Sequence, residues 1–572
     1  MKKAITVVLA IVLIVIIAWF TFGRKVAEKY TYSDERADLY EYFNLLKEEE
    51  VAVILQNEMI EEKAILLDGV CYFDLATVQK YFNERFYVDE TEELILYTTP
   101  TEVIRTVSGT GVYEMGGEKK DAGYRLTLTR VSGENTIYYI AVDYIQEFTN
   151  FSYELYTEPN RMQIYMEWPE RTVADVAKDS AVRKLGGIKS PILSDVKTGD
   201  KLVILEKMET WCEVKTEDGY IGYIENKMLE NERMETPKPV TDYEVPEYTA
   251  LTREHKIALG WHAVLKVSDN DGMGELVVNT KGMNVIAPTW FSLCDNEGNF
   301  QSFASQDYVD KAHGVGLEVW GVLDNFNYRL NNKADVDSAK ILSSTTVRTK
   351  LIENLMAEAL EYDLDGINVD LEDIKESYGE DYVQFMREMS IACREAGLVL
   401  SVDIPVPFHY NAYYDIKELG AVCDYVIIMG YDEHGEGSTQ AGSVASLGYV
   451  TQGLINATEV IPSHKVMNAL PFYTRLWTTE GANVSSRAYG MRATNGLVSD
   501  YGMTVVWDEE TNQNYASSEI NGVKYEMWIE DTTSILAKVN MMKKYNLGGV
   551  AAWRLGYEKA DIWEVIWAYT LE

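Results

Sequence analysis

Positive charge is scarce in this chain. Lys and Arg number 52 against 91 Asp and Glu, and the formal net charge is −39. So little basic surface leaves no footprint for a phosphate backbone, which excludes nucleic acid as a partner. The acidic surplus favours solubility and leaves a neutral polymer indifferent. Cysteine is also scarce: Cys71, Cys212, Cys294, Cys393 and Cys423 are scattered, odd in number and form no C-x-x-C pair. Neither a disulfide framework nor a zinc site follows. The six histidines contain no H-E-x-x-H spacing. The expectation is chemistry without a metal or cofactor. Proline totals only 12, yet Pro237, Pro239 and Pro246 fall close together among charged residues. Residues 233–252 therefore read as a semi-rigid linker.

What is present points to several folded domains. The 572 residues exceed one hydrophobic core. Apolar content of 47 % with 12 % aromatic residues fits folded domains rather than disorder. The 39 tyrosines suit sugar binding, through flat apolar faces with a hydrogen-bonding tip, and equally suit sheet surfaces. One long apolar run, residues 4–22, follows Lys2 and Lys3 and carries no charge. As a helix it would reach about 28 Å, close to the hydrocarbon thickness of a bilayer. Its exit, Trp19-Phe20-Thr21-Phe22-Gly23-Arg24, lacks a small-x-small cleavage site. Residues 1–23 are expected to be a single-pass transmembrane signal anchor. Arg24, Lys25 and Lys29 follow the run, so charge alone does not orient it. The bulk of the chain is placed outside the cell membrane because of what its C-terminal domain resembles.

Residues 24–50 are charged and tyrosine-rich and read as a helical stem. Residues 51–169 break into short alternating runs such as Val51–Leu55, Glu93–Tyr97 and Arg125–Thr129, the signature of strands with turns between. Leu66–Phe73 has a later counterpart in Asn135–Val142, each followed by a short helical stretch. This resembles the stalk domain of copper amine oxidases and of many bacterial surface proteins. The resemblance implies a spacer or wall-interaction role and no copper site. Residues 170–232 differ. Ser180–Arg183, Thr198–Leu205, Thr210–Val214 and Asp218–Ile224 follow in an order that resembles a bacterial SH3 domain. That implies contact with cell-wall peptides, with a plain spacer as the alternative.

From residue 253 to 572, apolar strands alternate with amphipathic helices. Strand candidates lie near Leu259, Val285, Leu317, Ile367, Leu400, Val426, Met467 and Val550. Leu351, Ile352, Leu355, Met356, Ala359 and Leu360 make one helix face. Eight strands alternating with helices predict an α/β fold, a (β/α)8 TIM barrel. The long gap before the last strand, about 478–524, reads as an α+β insertion. Small mostly-β domains precede the barrel.

The segment Asp365-Gly366-Ile367-Asn368-Val369-Asp370-Leu371-Glu372 has strand periodicity. Ile367, Val369 and Leu371 point to the helix layer, and Asn368, Asp370 and Glu372 point into the barrel. Parallel strands are usually apolar on both faces, and burying three polar side chains is costly unless they are paired. Strand ends are where barrel enzymes keep their reactive groups. A purely structural polar ladder is the alternative. The segment resembles the D-G-x-[DN]-x-[DN]-x-E motif of glycoside hydrolase family 18. Met429-Gly430-Tyr431-Asp432, Ala469–Tyr473 and Gly548–Trp553 resemble that family's sixth, seventh and eighth strands.

The resemblance implies Glu372 as the acid that protonates the leaving oxygen. Asp370 would stabilise an oxazolinium-like intermediate formed by the substrate's own acetamido group, and Tyr431 would donate to the acetamido carbonyl. Asp370 lies about 7 Å along the strand and would raise the pKa of Glu372 by like charge. Trp553 is expected under the sugar, with Asn368, Asp432 and Tyr473 as further substrate-binding residues. Trp261, Trp290 and Trp320 read as core, with sugar platforms as the alternative. The expected activity is retaining hydrolysis of β-1,4-linked N-acetylglucosamine glycans, peptidoglycan, spore cortex or chitin. A catalytically silent sugar-binding module is the alternative.

Overall fold

A computed structural model describes residues 2–19, 28–133, 135–238, 243–326 and 336–571. The chain divides into two compact units. One comprises Met1–Phe86, Thr106–Tyr113 and Lys119–Val245; the other comprises Tyr87–Arg105, Glu114–Glu118 and Pro246–Glu572.

The first unit begins with a helix, Lys2–Ala18, of 17 residues. Over these residues it would extend about 26 Å. Among the described residues no helix is long and apolar enough to cross a membrane. The expected span over 4–22 is therefore not met there, and residues 20–22 lie outside the described residues. The stem is not a continuous helix either. Among the described residues it is helical over 28–30 and again over Leu39–Tyr42, where Asp38 accepts from the N–H groups of Tyr40 and Glu41. Before that it runs extended beside Ile192, with Ala37 N donating to Ile192 O at 2.9 Å. Phe43 and Leu45 then bury against Ile54, Leu193 and Tyr220.

Two seven-stranded sheets make up most of this unit. In the first, Glu50–Leu55, Glu58–Leu67 and Val70–Asp74 form an antiparallel meander that continues into Asn135–Ala141. The two similar stretches seen in the sequence each give a strand followed by a short helix, Leu75–Tyr81 and Val142–Gln146. Their strands pair antiparallel, Ile140 opposite Phe73. The second sheet comprises Arg171–Val176, Ser180–Arg183, Ile192–Val196, Lys201–Lys207, Trp211–Lys215, Ile221–Glu225 and Leu229–Glu235. Alternate residues Val182, Leu202, Cys212, Val214 and Ile224 form its core, as the period of two requires.

The second unit is built on eight parallel strands: β1 Ile257–His262, β2 Val285–Pro288, β3 Glu318–Asp324, β4 Gly366–Asp370, β5 Val399–Pro405, β6 Tyr425–Met429, β7 Val466–Pro471 and β8 Gly549–Trp553. Each pairs with the next, and β8 pairs with β1, Val550 opposite Ala258, so the sheet closes as the predicted barrel. Ile367, Val369, Leu400 and Val426 face the helix layer, whereas Leu259, Trp320, Val399 and Ile427 fill the interior. Trp290 and Trp320 are fully buried and Trp261 is 2 % exposed, so all three are core. One residue after β7, a five-stranded antiparallel sheet begins at Tyr473 and ends at Ile529, with the helix Thr494–Asp500 within it. Leu476, Met503, Ala516 and Met527 close its own small core.

Residues 87–105 are part of the barrel unit. Asp89 Oδ2 accepts from the N and Oγ1 of Thr345, both at 2.6 Å, at the start of the helix Thr345–Glu361. Glu92 accepts from Ser344 Oγ and Thr346 N at 2.6 and 2.7 Å. Two carboxylates from outside the barrel thus supply acceptors to a helix N-terminus, where orphan N–H groups and the helix dipole favour negative charge. Beneath them Arg348, fully buried, is held by both oxygens of Glu388 at 2.9 Å.

Candidate active site

Strand β4 carries the polar face that its sequence requires. Asn368 is fully buried and its amide is engaged on two sides. Trp261 Nε1 on β1 donates to Asn368 Oδ1 at 2.9 Å. Asn368 Nδ2 donates to Ser401 Oγ and Asp403 Oδ1 on β5, each at 2.9 Å. A carboxylate at this position could accept from Trp261 but could not donate to Asp403. The expected contact of Asn368 with substrate gives way to a supporting role, because the protein already occupies both ends of its amide.

Asp370 lies two residues on, buried, and stands opposite Asp324 in register with β3. Asp324 accepts from Ser292 Oγ at 2.8 Å and from Phe326 N at 3.0 Å, which fixes the end of β3. Glu372 follows just beyond the strand. Asn325 binds its backbone through both ends of the carboxamide and also donates to Ser338 Oγ at 3.1 Å. Burial pushes the Glu372 carboxyl up to about 7, and the charges of Asp432, Asp373 and Asp324 add to that rise. Asp403 is raised too, well above the usual carboxylate range. Burial is the main cause, the Asn368 hydrogen bond opposes it, and the charge of Glu372 contributes. A buried group with a proton retained near neutrality is what general acid catalysis needs.

The end of β6 brings the next residues in. Gly430 precedes Tyr431, and a Cβ there would come within 2.6 Å of Asn468 Oδ1 and 2.9 Å of Ala469 O on β7. Only glycine lets the two strands approach as they do. Tyr431 is half-buried, and its hydroxyl is raised by burial and by the charges of Asp370, Asp403 and Glu372. It therefore stays a neutral donor beside the carboxylates. Its ring meets that of Tyr473 edge-on, centroids 6.1 Å apart. Tyr473 donates its hydroxyl to Asp432 Oδ1 at 2.6 Å. Trp553 ends β8, half-buried, with its ring 6.1 Å from Trp261. Glu372, Asp370, Tyr431, Asp432, Tyr473 and Trp553 thus gather at the C-terminal ends of the strands, with Asn368 behind them.

Four contributors escape the sequence reading. Asp403 and Ser401 sit in the run Val399-Leu400-Ser401-Val402-Asp403-Ile404, where a lone carboxylate in an apolar strand is itself a signal. Asp324 and Asn325 end β3 as a polar pair after Val319-Trp320-Gly321-Val322-Leu323. What their sequence cannot supply is the partner strand they face.

Residues 333–558 match glycosyl hydrolases family 18, and residues 179–230 match the bacterial SH3 domain. The chain thus contains a domain of each kind. It is 22 % identical over 290 residues to an uncharacterized glycosylase, YvbX, of Bacillus subtilis (strain 168), covering 50 % of this chain and 84 % of that one. It is 28 % identical over 248 residues to the cortical fragment-lytic enzyme of Bacillus anthracis, covering 41 % of this chain and 56 % of the enzyme. The chain therefore spans little more than half the length of that relative. Among solved structures, a Chromobacterium violaceum chitinase aligns with TM-score 0.49 at 22 % identity, covering 55 % of this chain and 99 % of the chitinase. The Bacillus cereus spore cortex-lytic enzyme SleL aligns with TM-score 0.48 at 22 % identity, covering 56 % and 75 %.

Proposed function

We propose that the barrel hydrolyses β-1,4-linked N-acetylglucosamine glycans with retention of configuration, the substrate's 2-acetamido group acting as nucleophile. The observation that carries this is Glu372. It is a carboxyl at the end of β4, raised to about 7 by burial and neighbouring charge. It protonates the leaving glycosidic oxygen as the C–O bond breaks. The acetamido oxygen attacks the anomeric carbon, and water then opens the cyclic intermediate with Glu372 taking back the proton. Asp370 faces the acetamido N–H and balances its developing positive charge. Tyr431, kept protonated, donates to the acetamido oxygen, and Trp553 floors the sugar. Asp432 and Tyr473, bonded to each other, hold the far side of the cleft.

The substrate we favour is bacterial wall glycan, peptidoglycan or spore cortex, with chitin as the second choice. The similarity to Bacillus cortex-lytic enzymes and the SH3 match support that order. The SH3 domain would hold wall peptides. The preceding sheet, with its paired strand–helix repeats, would serve as a stalk of the kind seen in copper amine oxidases. The apolar N-terminal run would tie the chain to the cell membrane with its bulk outside. A silent sugar-binding barrel would have no use for Glu372 in this setting. Product masses after incubation with purified peptidoglycan and with chitin oligomers test the reading. New reducing ends at N-acetylglucosamine are expected, and none from either polymer would refute it.

A further inference from the structure

The five-stranded sheet inserted after β7 leads into a buried ion pair that the reaction above does not use. Glu530 follows the strand Val523–Ile529 and is fully buried. Lys538, 1 % exposed on the helix Thr532–Lys544, donates to both of its carboxylate oxygens, at 2.9 and 3.0 Å. Ser534 Oγ donates to Glu530 Oε2 and Gln513 Nε2 to Glu530 Oε1, each at 2.7 Å. Taking two charges out of water costs about as much as their attraction returns, so such a pair is a poor source of stability. A fully satisfied buried network supplies fixed direction instead.

Two legs run from Glu530 to Asp432. In the first, Glu530 N donates to Thr474 Oγ1 at 2.9 Å, and that hydroxyl donates to Trp528 O at 2.9 Å. Thr474 and Glu530 lie past the pairing of their strands, which begins with Trp477 opposite Glu526, so the buried threonine hydroxyl replaces the missing backbone bonds. The residue before it, Tyr473, donates to Asp432 Oδ1. In the second leg, Gln513 Oε1 accepts from Ser443 Oγ at 2.5 Å. Ser443 lies on the loop that leads from β6 to the helix Leu447–Thr458. The next residue on that loop, Val444, accepts at its carbonyl from Glu433 N at 3.0 Å, beside Asp432. Trp477 Nε1 donates to Gly442 O at 2.8 Å and ties the same loop to the sheet. One leg thus reaches the Asp432 carboxylate, and the other reaches its backbone neighbour.

After burial, the charge of Asp432 is the largest influence on Glu372, ahead of Asp373 and Asp324. Asp403 on β5 interacts with Glu372 as well. None of those other three lies on either leg. We infer that Glu530 is a positioning residue for hydrolysis, which holds Asp432 in place at the mouth of the barrel from the end of the inserted sheet. The inference rests on the acid role given to Glu372.

Glu530→Gln would leave Lys538 buried without its charge partner, so the legs are cut one at a time in the full-length protein, by Thr474→Val and by Ser443→Ala. Each variant should lose about tenfold in kcat/KM on N-acetylglucosamine oligomers, as a displaced group at the site does. With less negative charge beside it Glu372 ionises more readily, so the alkaline limb of the pH profile should move to lower pH. Asp432→Asn should move the limb the same way, and adding Thr474→Val or Ser443→Ala to it should move the limb no further. A limb unmoved in both single variants, or a shift repeated in full once the Asp432 charge is gone, would overturn the inference. Should one variant not fold, the other decides. The titration of Glu372 is followed in parallel by carbon-13 NMR, assigned with Glu372→Gln. If wild type cleaves no oligomer the hydrolase reading falls, and the NMR titrations still decide whether the legs hold Asp432.

Discussion

The side-chain amide of Asn325 holds Glu372 at both backbone polar atoms, Nδ2 donating to Glu372 O at 2.8 Å and Oδ1 accepting from Glu372 N at 3.1 Å. Glu372 lies past the last ladder position of β4, so the sheet no longer fixes its backbone. Asn325 replaces the lost strand partner. Asn325→Ala should therefore lower kcat by roughly 10²-fold, the scale on which a misplaced reacting group costs rate. Asn325→Asp keeps one of the two contacts and should fall between. Wild-type turnover in Asn325→Ala would show that Glu372 needs no such clamp.

Glu372→Gln should fold and lose about 10²- to 10⁴-fold in kcat, because an amide has no acidic proton to give. Asp370→Asn should also be crippled, through weaker stabilisation of the positive intermediate. Steady-state rates on soluble oligomers read both. Half or more of wild-type turnover in either variant removes that residue from the mechanism.

The raised Glu372 carboxyl sets a pH dependence. Activity needs its proton, so kcat/KM should fall as pH rises through about 7. Stability has the same direction. Below the unfolded carboxylate range, near 4.3, both states hold the proton. Between there and about 7 the folded state alone retains it, so stability declines as pH rises across that window and then levels. Thermal melts should show that slope in wild type and a flatter profile in Glu372→Gln. Equal slopes would mean that the carboxyl is not raised.

Asp89→Ala tests the capping of Thr345–Glu361. Loss of an acceptor at a helix N-terminus costs about 1–2 kcal/mol, read as a lower Tm for the barrel. Burial raises the Asp89 carboxyl, but the hydrogen bonds from Thr345 and Thr91 outweigh it and hold it below the usual range. Its contribution is thus present above the unfolded pKa and lost as pH falls through the lower folded one. The Tm gap between wild type and variant should narrow below about pH 4. A gap that persists in strong acid would place the effect elsewhere.

All eight barrel strands were legible in sequence, because apolar runs between amphipathic helices leave few other solutions. The polar face of β4 was legible for a local reason: a period of two puts Asn368, Asp370 and Glu372 on one side whatever lies opposite. What lies opposite was not legible. That Asn368 meets Trp261, Ser401 and Asp403, and that Glu372 is held by Asn325, depends on register between strands distant in sequence. Asn368 was misread for that reason.

The segment Tyr87–Arg105 belongs to the barrel unit although about 140 residues separate it from Pro246, where the main part of that unit begins. A gene fragment beginning at residue 246 would encode every barrel strand and still omit Asp89 and Glu92, leaving the first turn of Thr345–Glu361 without two of its acceptors. The catalytic part of this protein is therefore not a contiguous cassette. Recombination that shuffles domains by one crossover in the proline-rich linker would deliver a barrel already missing part of itself.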